Sequence, residues 1–89
     1  MYKHTLKLQQ RFVKPIMDKE KQFEIRKNDR CFQKGDQVQF NVVDNDGYEL
    51  SYKSDETRKF EFKEFEITYV ISGWGLKNGY VVFGIKEVG

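Results

Sequence analysis

A turn followed by strict alternation of polar and apolar residues occupies positions 35–42, Gly35-Asp36-Gln37-Val38-Gln39-Phe40-Asn41-Val42. A period of two residues is typical of a β-strand with one buried face. Asn45-Asp46-Gly47 follows, and asparagine and glycine accept the positive φ that tight hairpin turns need. The stretch therefore predicts a β-hairpin whose return strand carries Tyr48, Leu50 and Tyr52.

Upstream of this hairpin, the pattern predicts a strand, a helix and a second strand. Residues 2–8 alternate like a half-buried strand, and residues 10–19 place apolar side chains at helical spacing. Pro15 suits only the first turn of a helix, so the start of this helix stays undefined. The period of two then returns, with two apolar residues on one face and three polar residues on the other: Phe23 and Ile25 against Gln22, Glu24 and Arg26.

Downstream of the hairpin, the pattern predicts two more strands. Residues 53–59 are polar and predict an exposed loop, and residues 60–71 alternate like one long strand. The parity of this alternation changes once near Lys63 or Glu64, which predicts a β-bulge. A glycine-rich loop then precedes the last strand, predicted over residues 80–86.

The predicted fold is α+β and mostly β, because five or six strands with one short N-terminal helix form a small, partly open β-barrel. With 89 residues the chain has the size of one domain, so residues 1–89 are predicted to share a single core. One buried aromatic side chain removes roughly 150–250 Å² from water, so a small aromatic core needs no disulfide. The predicted core contains the eight phenylalanines, Phe12, Phe23, Phe32, Phe40, Phe60, Phe62, Phe65 and Phe83.

Cys31 is the only cysteine, so the chain forms neither an internal disulfide nor a cysteine zinc site. A lone thiol is typical of a reducing compartment, which favours a cytoplasmic location. No stretch approaches the roughly 20 apolar residues of a membrane span, and the first residues lack the apolar run of a signal peptide. We therefore expect a cytoplasmic protein without a membrane partner, in which Cys31 is a small core residue.

Charge is distributed unevenly along the chain. The net charge is only +2, so the whole molecule lacks the excess that marks many nucleic-acid binders. Basic residues outnumber acidic ones between Lys3 and Lys34, however. The first third of the chain is therefore the predicted location of an anion-binding site.

The densest cluster of charge is Lys21-Gln22-Phe23-Glu24-Ile25-Arg26, followed at once by Lys27-Asn28-Asp29-Arg30. In a strand, Glu24 and Arg26 point to the same side, so the carboxylate can hold the guanidinium toward an anion or a base edge. Lys21 adds a second cation of the kind that contacts phosphate in RNA. The alternative is an exposed ion pair, which contributes roughly 0–1 kcal/mol to stability.

The spacing Lys-x-x-Glu-x-Arg resembles the Gly-x-Lys-x-x-Glu-x-Arg signature of the ASCH domain, a PUA-like barrel, although Lys19 stands where the signature begins with glycine. The chain is also similar to small bacterial and phage proteins of unknown function in that superfamily. That similarity spans nearly the whole chain, through His4-Thr5-Leu6-Lys7, Phe23-Glu24-Ile25-Arg26-Lys27-Asn28-Asp29-Arg30, Gly35-Asp36, Ile67-Thr68-Tyr69-Val70-Ile71 and Gly79-Tyr80-Val81-Val82. The resemblance implies a PUA-like barrel that binds RNA or a nucleotide in a basic cleft between helix and barrel, with no cofactor.

Four further residues are candidate ligand contacts, each with a structural alternative. His4 lies on the apolar face of its strand, where it is either a partly buried structural histidine or a wall of the cleft near Glu24. Asn28 and Arg30 form a turn that satisfies its own backbone, or contact the ligand as the resemblance implies. Trp74 lies between two glycines, where it either stacks on a base, a role also open to Tyr69, or covers the core.

Three functions remain open from the sequence, and a binding module is favoured over an enzyme. Some ASCH relatives are amidohydrolases acting on acylated cytidine, which would make Lys21 and Glu24 the catalytic residues, although Glu24 stands where these relatives have a threonine nucleophile. RNA cleavage lacks a histidine pair, and one histidine with one cysteine provides too few ligands for a metal. A protein-interaction module would use the acidic residues 55–66. The sequence defines neither the ligand nor the oligomeric state.

Overall fold

The structure, a computed structural model, describes residues 1–88 as one five-stranded sheet with two short helices and a 3₁₀ turn. No helix in these residues combines the length and the hydropathy needed to cross a membrane. The strands are β1 (Lys3–Gln9), β2 (Phe23–Lys27), β3 (Gln37–Val43), β4 (Glu64–Ser72) and β5 (Tyr80–Val88), and the helices are α1 (Val13–Met17) and α2 (Asp55–Phe62).

The strand order in the sheet is β1-β3-β4-β5-β2. β1 pairs with β3 in parallel, and the other three pairs are antiparallel. Within residues 1–88 the ladders leave β1 and β2 as the two edges, so the sheet is open. The α+β, mostly β class is therefore confirmed, whereas the predicted barrel is not.

The alternation in β3 has the predicted effect on burial. Val38, Phe40 and Val42 are completely or almost completely buried. Phe40 lies 5.9 Å from Phe60 and 5.4 Å from Phe65, measured between ring centroids, at distances that favour aromatic pairs. Five phenylalanines of the predicted core are buried, whereas Phe12 is only partly buried and two are exposed, namely Phe23 and Phe62.

The predicted return strand at positions 48–52 is wrong, although the turn before it is present. Gly47 has the positive φ of 89° that this turn requires, and the Asp44 carboxylate accepts hydrogen bonds from two turn N–H groups. Only one isolated bridge, from Val43 to Glu49, continues the pairing. Tyr48 and Tyr52 are exposed, and on their face only the partly buried Leu50 packs against the core, which is too little to stabilise a strand.

Helix α2 replaces the predicted loop at 53–59 and the predicted start of the following strand. The Ser54 hydroxyl caps its first turn by accepting a hydrogen bond from the Thr57 N–H, and two acidic residues complement the helix dipole there. Phe60 is the only buried residue of α2. The change of parity near residue 63 is the junction of this helix with β4, and the β-bulge lies later, between Ile67 and Tyr69.

The predicted N-terminal helix is present but shorter than expected. A 3₁₀ turn over Gln10–Phe12 precedes α1, which ends at Met17 rather than at residue 19. Pro15 lies within α1, and Lys19 adopts a φ of 59°, which no helix continues. These short turns lead the chain from the end of β1 to the start of β2.

Candidate functional site

The edge strand β2 places its polar face inward. Glu24 is 3% exposed and pairs with Phe83, whereas Phe23 and Ile25 are 42% and 55% exposed. The predicted alternation is confirmed, but the assignment of Phe23 to the core is wrong. A carboxylate at this depth is costly unless charged or hydrogen-bonded groups surround it. Its partners therefore define the site.

Two cations hold the Glu24 carboxylate. Arg26 donates two hydrogen bonds to Oε1, from Nε at 3.0 Å and from Nη2 at 2.8 Å. The Lys21 ammonium donates to Oε2 and also to the Phe23 carbonyl, at 2.8 Å. The pairing predicted from Lys-x-x-Glu-x-Arg is therefore present, and the group of one acid and two bases is a net cation.

A groove of about 760 Å³ opens beside this triad, within the size range of small-molecule sites. The Lys21 ammonium lies 4.9 Å from the Phe12 ring centroid and 5.2 Å from that of Phe23, at cation–π distances. The groove therefore combines aromatic walls with a positively charged floor. It is lined by Lys7, Leu8, Gln9, Phe12, Pro15, Glu20, Lys21, Phe23, Glu24, Ile25 and Arg26.

One polar atom of this lining has no partner. The amide oxygen Oε1 of Gln9 is buried and accepts no hydrogen bond from any described residue. Buried acceptors are nearly always paired, because an unpaired one forfeits its hydration. This oxygen belongs to a residue of the lining, but it has almost no accessible surface of its own.

Two arginines connect the open edges of the sheet. The Nη2 group of Arg26 donates to the Lys7 carbonyl at 2.6 Å, and Nη1 of Arg30 donates to the Thr5 carbonyl at 2.9 Å. Both carbonyls belong to β1, at the edge opposite β2 in the strand order. Side chains rather than a backbone ladder therefore join the two edges, and the groove lies along this junction.

One family model matches almost the whole chain. The family model described as "Domain of unknown function (DUF3850)" matches residues 3–85, which include all five strands apart from the last residues of β5. The chain belongs to the DUF3850 family. No curated protein matches it. The match includes every residue of the triad and of the groove lining.

His4 of this DUF3850 domain has the structural role, the first of the two alternatives that its sequence position left open. Its Nε2 atom lies 2.9 Å from Oδ2 of Asp36, and its ring lies 4.8 Å from the Phe32 ring centroid. Burial alone would raise the pKa of Asp36. Hydrogen bonds from His4 and from the N–H groups of Tyr2 and Gln33 outweigh burial and lower that pKa. His4 does not line the groove.

The other candidates of the DUF3850 domain also lie outside the groove. The Asn28 side chain accepts a hydrogen bond from the Phe32 N–H at 3.1 Å, which closes a local turn. Trp74 is 90% exposed, so it does not cover the core. Cys31 is exposed as well, which corrects its assignment to the core.

The groove of the DUF3850 domain contains residues that the sequence did not single out. Lys7 and Gln9 come from the end of β1, and Phe12 comes from the turn before α1. No local motif marks them, because only the tertiary fold brings this segment against β2. Among residues 1–88, no three or more His, Cys, Asp or Glu side chains cluster closely enough to hold a metal ion.

Proposed function

We propose that this DUF3850 domain is an RNA- or nucleotide-binding module of the ASCH, PUA-like type, and that its groove holds one nucleotide. The observation that carries the proposal is the buried Glu24 carboxylate, which fixes the Lys21 and Arg26 cations at the floor of an aromatic groove. The hydrogen bonds to β1 from Arg26 of β2 and from Arg30, three residues after β2, support the likeness to a partly open barrel.

The energetics of the triad support a role in binding. Replacing buried ion pairs by packed apolar residues often leaves stability unchanged or raises it, so a fold seldom requires them. Glu24 uses two of its hydrogen bonds to fix one guanidinium, which removes much of the entropy that Arg26 would lose on meeting a ligand. A pre-oriented arginine beside a lysine recognises phosphate well.

The apolar lining supports a nucleobase as the second part of the ligand. Every base has a π-face that stacks on aromatic side chains, and Phe12 and Phe23 both border the groove. Phosphate on the cations and a base stacked on one of these rings would use both features of the lining.

The test is a titration of the labelled protein with cytidine 5′-monophosphate and with short single-stranded RNA, followed by NMR of the amides over residues 19–30. We expect shifts concentrated there that weaken as salt rises. Arg26→Ala should remove the binding. Arg58→Ala removes the same charge from an exposed position of α2 and is the matched control. Unchanged affinity of Arg26→Ala, or equal losses in both variants, would refute the proposed site.

No structural observation favours the hydrolase alternative. The Lys21 ammonium already donates to the Glu24 carboxylate and to the Phe23 carbonyl. These bonds suit a fixed cation better than a nucleophile or a base. Incubation of the protein with acylated cytidine distinguishes the two functions, because a binding module leaves the substrate intact, whereas turnover that Lys21→Ala abolishes would establish the enzyme.

A further inference from the structure

The outer surface of the sheet is apolar over the three strands β2, β5 and β4. Strand pairing places Phe23, Gly84 and Tyr69 in one row across these strands. The next row is Ile25, Val82 and Ile71, and Tyr80 pairs with Lys27 beyond it. Residues directly paired across strands share one face of a sheet. We call this surface the aromatic face, defined by Phe23, Ile25, Tyr69, Ile71, Tyr80 and Val82.

The aromatic face is exposed and continues into the groove. Tyr69 is 65% exposed, and Phe23 and Ile25 belong both to this face and to the groove lining. An extended ligand bound in the groove would therefore pass from the groove onto this surface. A contiguous exposed apolar surface of this kind is typical of an interaction site.

The bulge in β4 shapes the space between two rings. Phe23 and Tyr69 are two strands apart, which is about 10 Å. Gly84 between them carries no side chain, and a Cβ atom built there would collide with the Thr68 hydroxyl. The bulge thus places a hydroxyl, which both donates and accepts hydrogen bonds, between two exposed rings. Flat rings with a polar group between them suit bases better than aliphatic side chains.

Trp74 lies in the loop that joins β4 to β5, beyond the last paired row of the two strands. It adopts a φ of 52° between two glycines that also have positive φ. This conformation is disfavoured for a bulky residue and concentrates at functional positions. Nothing in the core uses the indole, because 90% of the residue is exposed. An exposed indole held in an unfavourable backbone conformation is what a stacking platform requires.

The charges around the aromatic face favour a polyanion. Lys27 pairs with Tyr80 in the outermost row, and the Lys77 ammonium lies 5.8 Å from the Tyr80 ring centroid. At the other end of the face, Lys86 pairs with Glu66. Glu64 lies on the same face one row further on, so three lysines against two glutamates leave the margin weakly positive. Single-stranded nucleic acid, with a phosphate at every base, complements both the rings and this margin.

We propose that the aromatic face binds the nucleotides that follow the one held in the groove, so that the domain recognises single-stranded RNA several nucleotides long. This inference rests on the proposed function of the groove. Bases stack on Tyr69 and Trp74, and Lys27 and Lys77 contact the phosphates between them. The occupant is RNA rather than a second copy of the chain, because the aromatic rows continue from a groove that carries a net positive charge.

The experiment compares cytidine 5′-monophosphate with an unstructured, labelled oligocytidine of about eight nucleotides. Trp74 is the only tryptophan, so intrinsic fluorescence reports its surroundings directly. We expect the oligonucleotide, but not the mononucleotide, to change this fluorescence. Tyr69→Ala and Trp74→Ala should each weaken oligonucleotide binding, measured by anisotropy, by about five-fold or more, from the usual contribution of one stacked base. Mononucleotide affinity should stay unchanged in both variants.

Tyr52→Ala is the matched control, because Tyr52 is an exposed tyrosine outside the aromatic face. If the mononucleotide binds and the face variants bind the oligonucleotide as tightly as Tyr52→Ala does, the inference is refuted while the groove proposal stands. If neither ligand binds the unmodified protein, the groove proposal fails too. A face variant that dissociates a dimer, seen by sedimentation, without changing RNA affinity would identify a second copy as the occupant and overturn the inference.

Discussion

Glu24 and Asp36 are buried to the same extent, at 3% exposure each, but their partners differ in kind. Asp36 accepts hydrogen bonds from His4 and from two backbone N–H groups, at 2.9 to 3.2 Å. Glu24 accepts from the ends of two long cationic side chains. Backbone N–H groups have little freedom to change partners within a fold, whereas the ends of lysine and arginine side chains can turn toward a ligand. Asp36 therefore stabilises the fold, whereas Glu24 orients the cations of the proposed binding site.

The largest expected effect is on Asp36. Asp36→Ala leaves the buried His4 ring and two partly buried N–H groups without their acceptor, so we expect the free energy of unfolding to fall by about 3–5 kcal/mol. Asp44→Ala is the control, since Asp44 also accepts two turn N–H groups but near the surface, and it should cost about 1 kcal/mol. Urea unfolding followed by circular dichroism measures both, and equal losses would contradict the role assigned to Asp36.

Part of the Asp36 contribution should depend on pH. Its pKa is lower in the folded protein than in the unfolded chain, so the stabilisation is fully present above the unfolded value of about 4 and is lost as pH falls through the folded value. Unfolding measured between neutral pH and about pH 2 should therefore show a steeper decline in the unmodified protein than in Asp36→Asn. Parallel curves would exclude this linkage.

A smaller loss of stability is expected for Glu24. Glu24→Gln removes the charge, but Lys21 and Arg26 can turn into the solvent of the groove, so we expect a loss of about 1–2 kcal/mol. The same variant should bind cytidine 5′-monophosphate more weakly although the groove becomes more positive, because Arg26 is no longer held in place. If Glu24→Gln were as destabilising as Asp36→Ala and left the nucleotide affinity unchanged, the two carboxylates would have the same structural role.

The smallest expected effect separates the two arginines that reach β1. Arg30 donates to the Thr5 carbonyl without a carboxylate behind it and outside the groove. Arg30→Ala should lower the free energy of unfolding by about 1 kcal/mol or less and leave nucleotide affinity unchanged. Calorimetric titration of Arg30→Ala and Arg26→Ala with cytidine 5′-monophosphate tests this difference. Lost affinity in Arg30→Ala would restore Arg30 as the ligand contact that the sequence resemblance implied.

Local sequence patterns predicted the structure correctly where a single physical requirement determined it. The alternation in β3 predicts its burial, because a period of two places every second side chain on one face. The Asn45-Asp46-Gly47 turn follows from backbone conformational preference alone. The spacing of Lys21, Glu24 and Arg26 likewise brings three charges together, since one lies at the strand entrance and two share a strand face.

Prediction from the sequence pattern was wrong where a strand and a helix both fit the spacing of the apolar residues. Phe60 and Phe62 alternate like a strand, yet Ser54 and the acidic residues after it cap a helix at that position. This helix lies against β3 where the second strand of the predicted hairpin was expected. The cap was readable in the sequence, but only the packing of Phe60 against Phe40 decides between the two structures.

For the functional site, the sequence was enough to identify the charged triad and its spacing, because these depend on neighbours within six residues. Which face of β2 points inward was decided by the tertiary structure, since alternation is symmetric and only the ladder with β5 orients it. The groove itself also depends on long-range pairing. Gln9 and Phe12 meet β2 only because β1 pairs in parallel with a strand that begins almost thirty residues later.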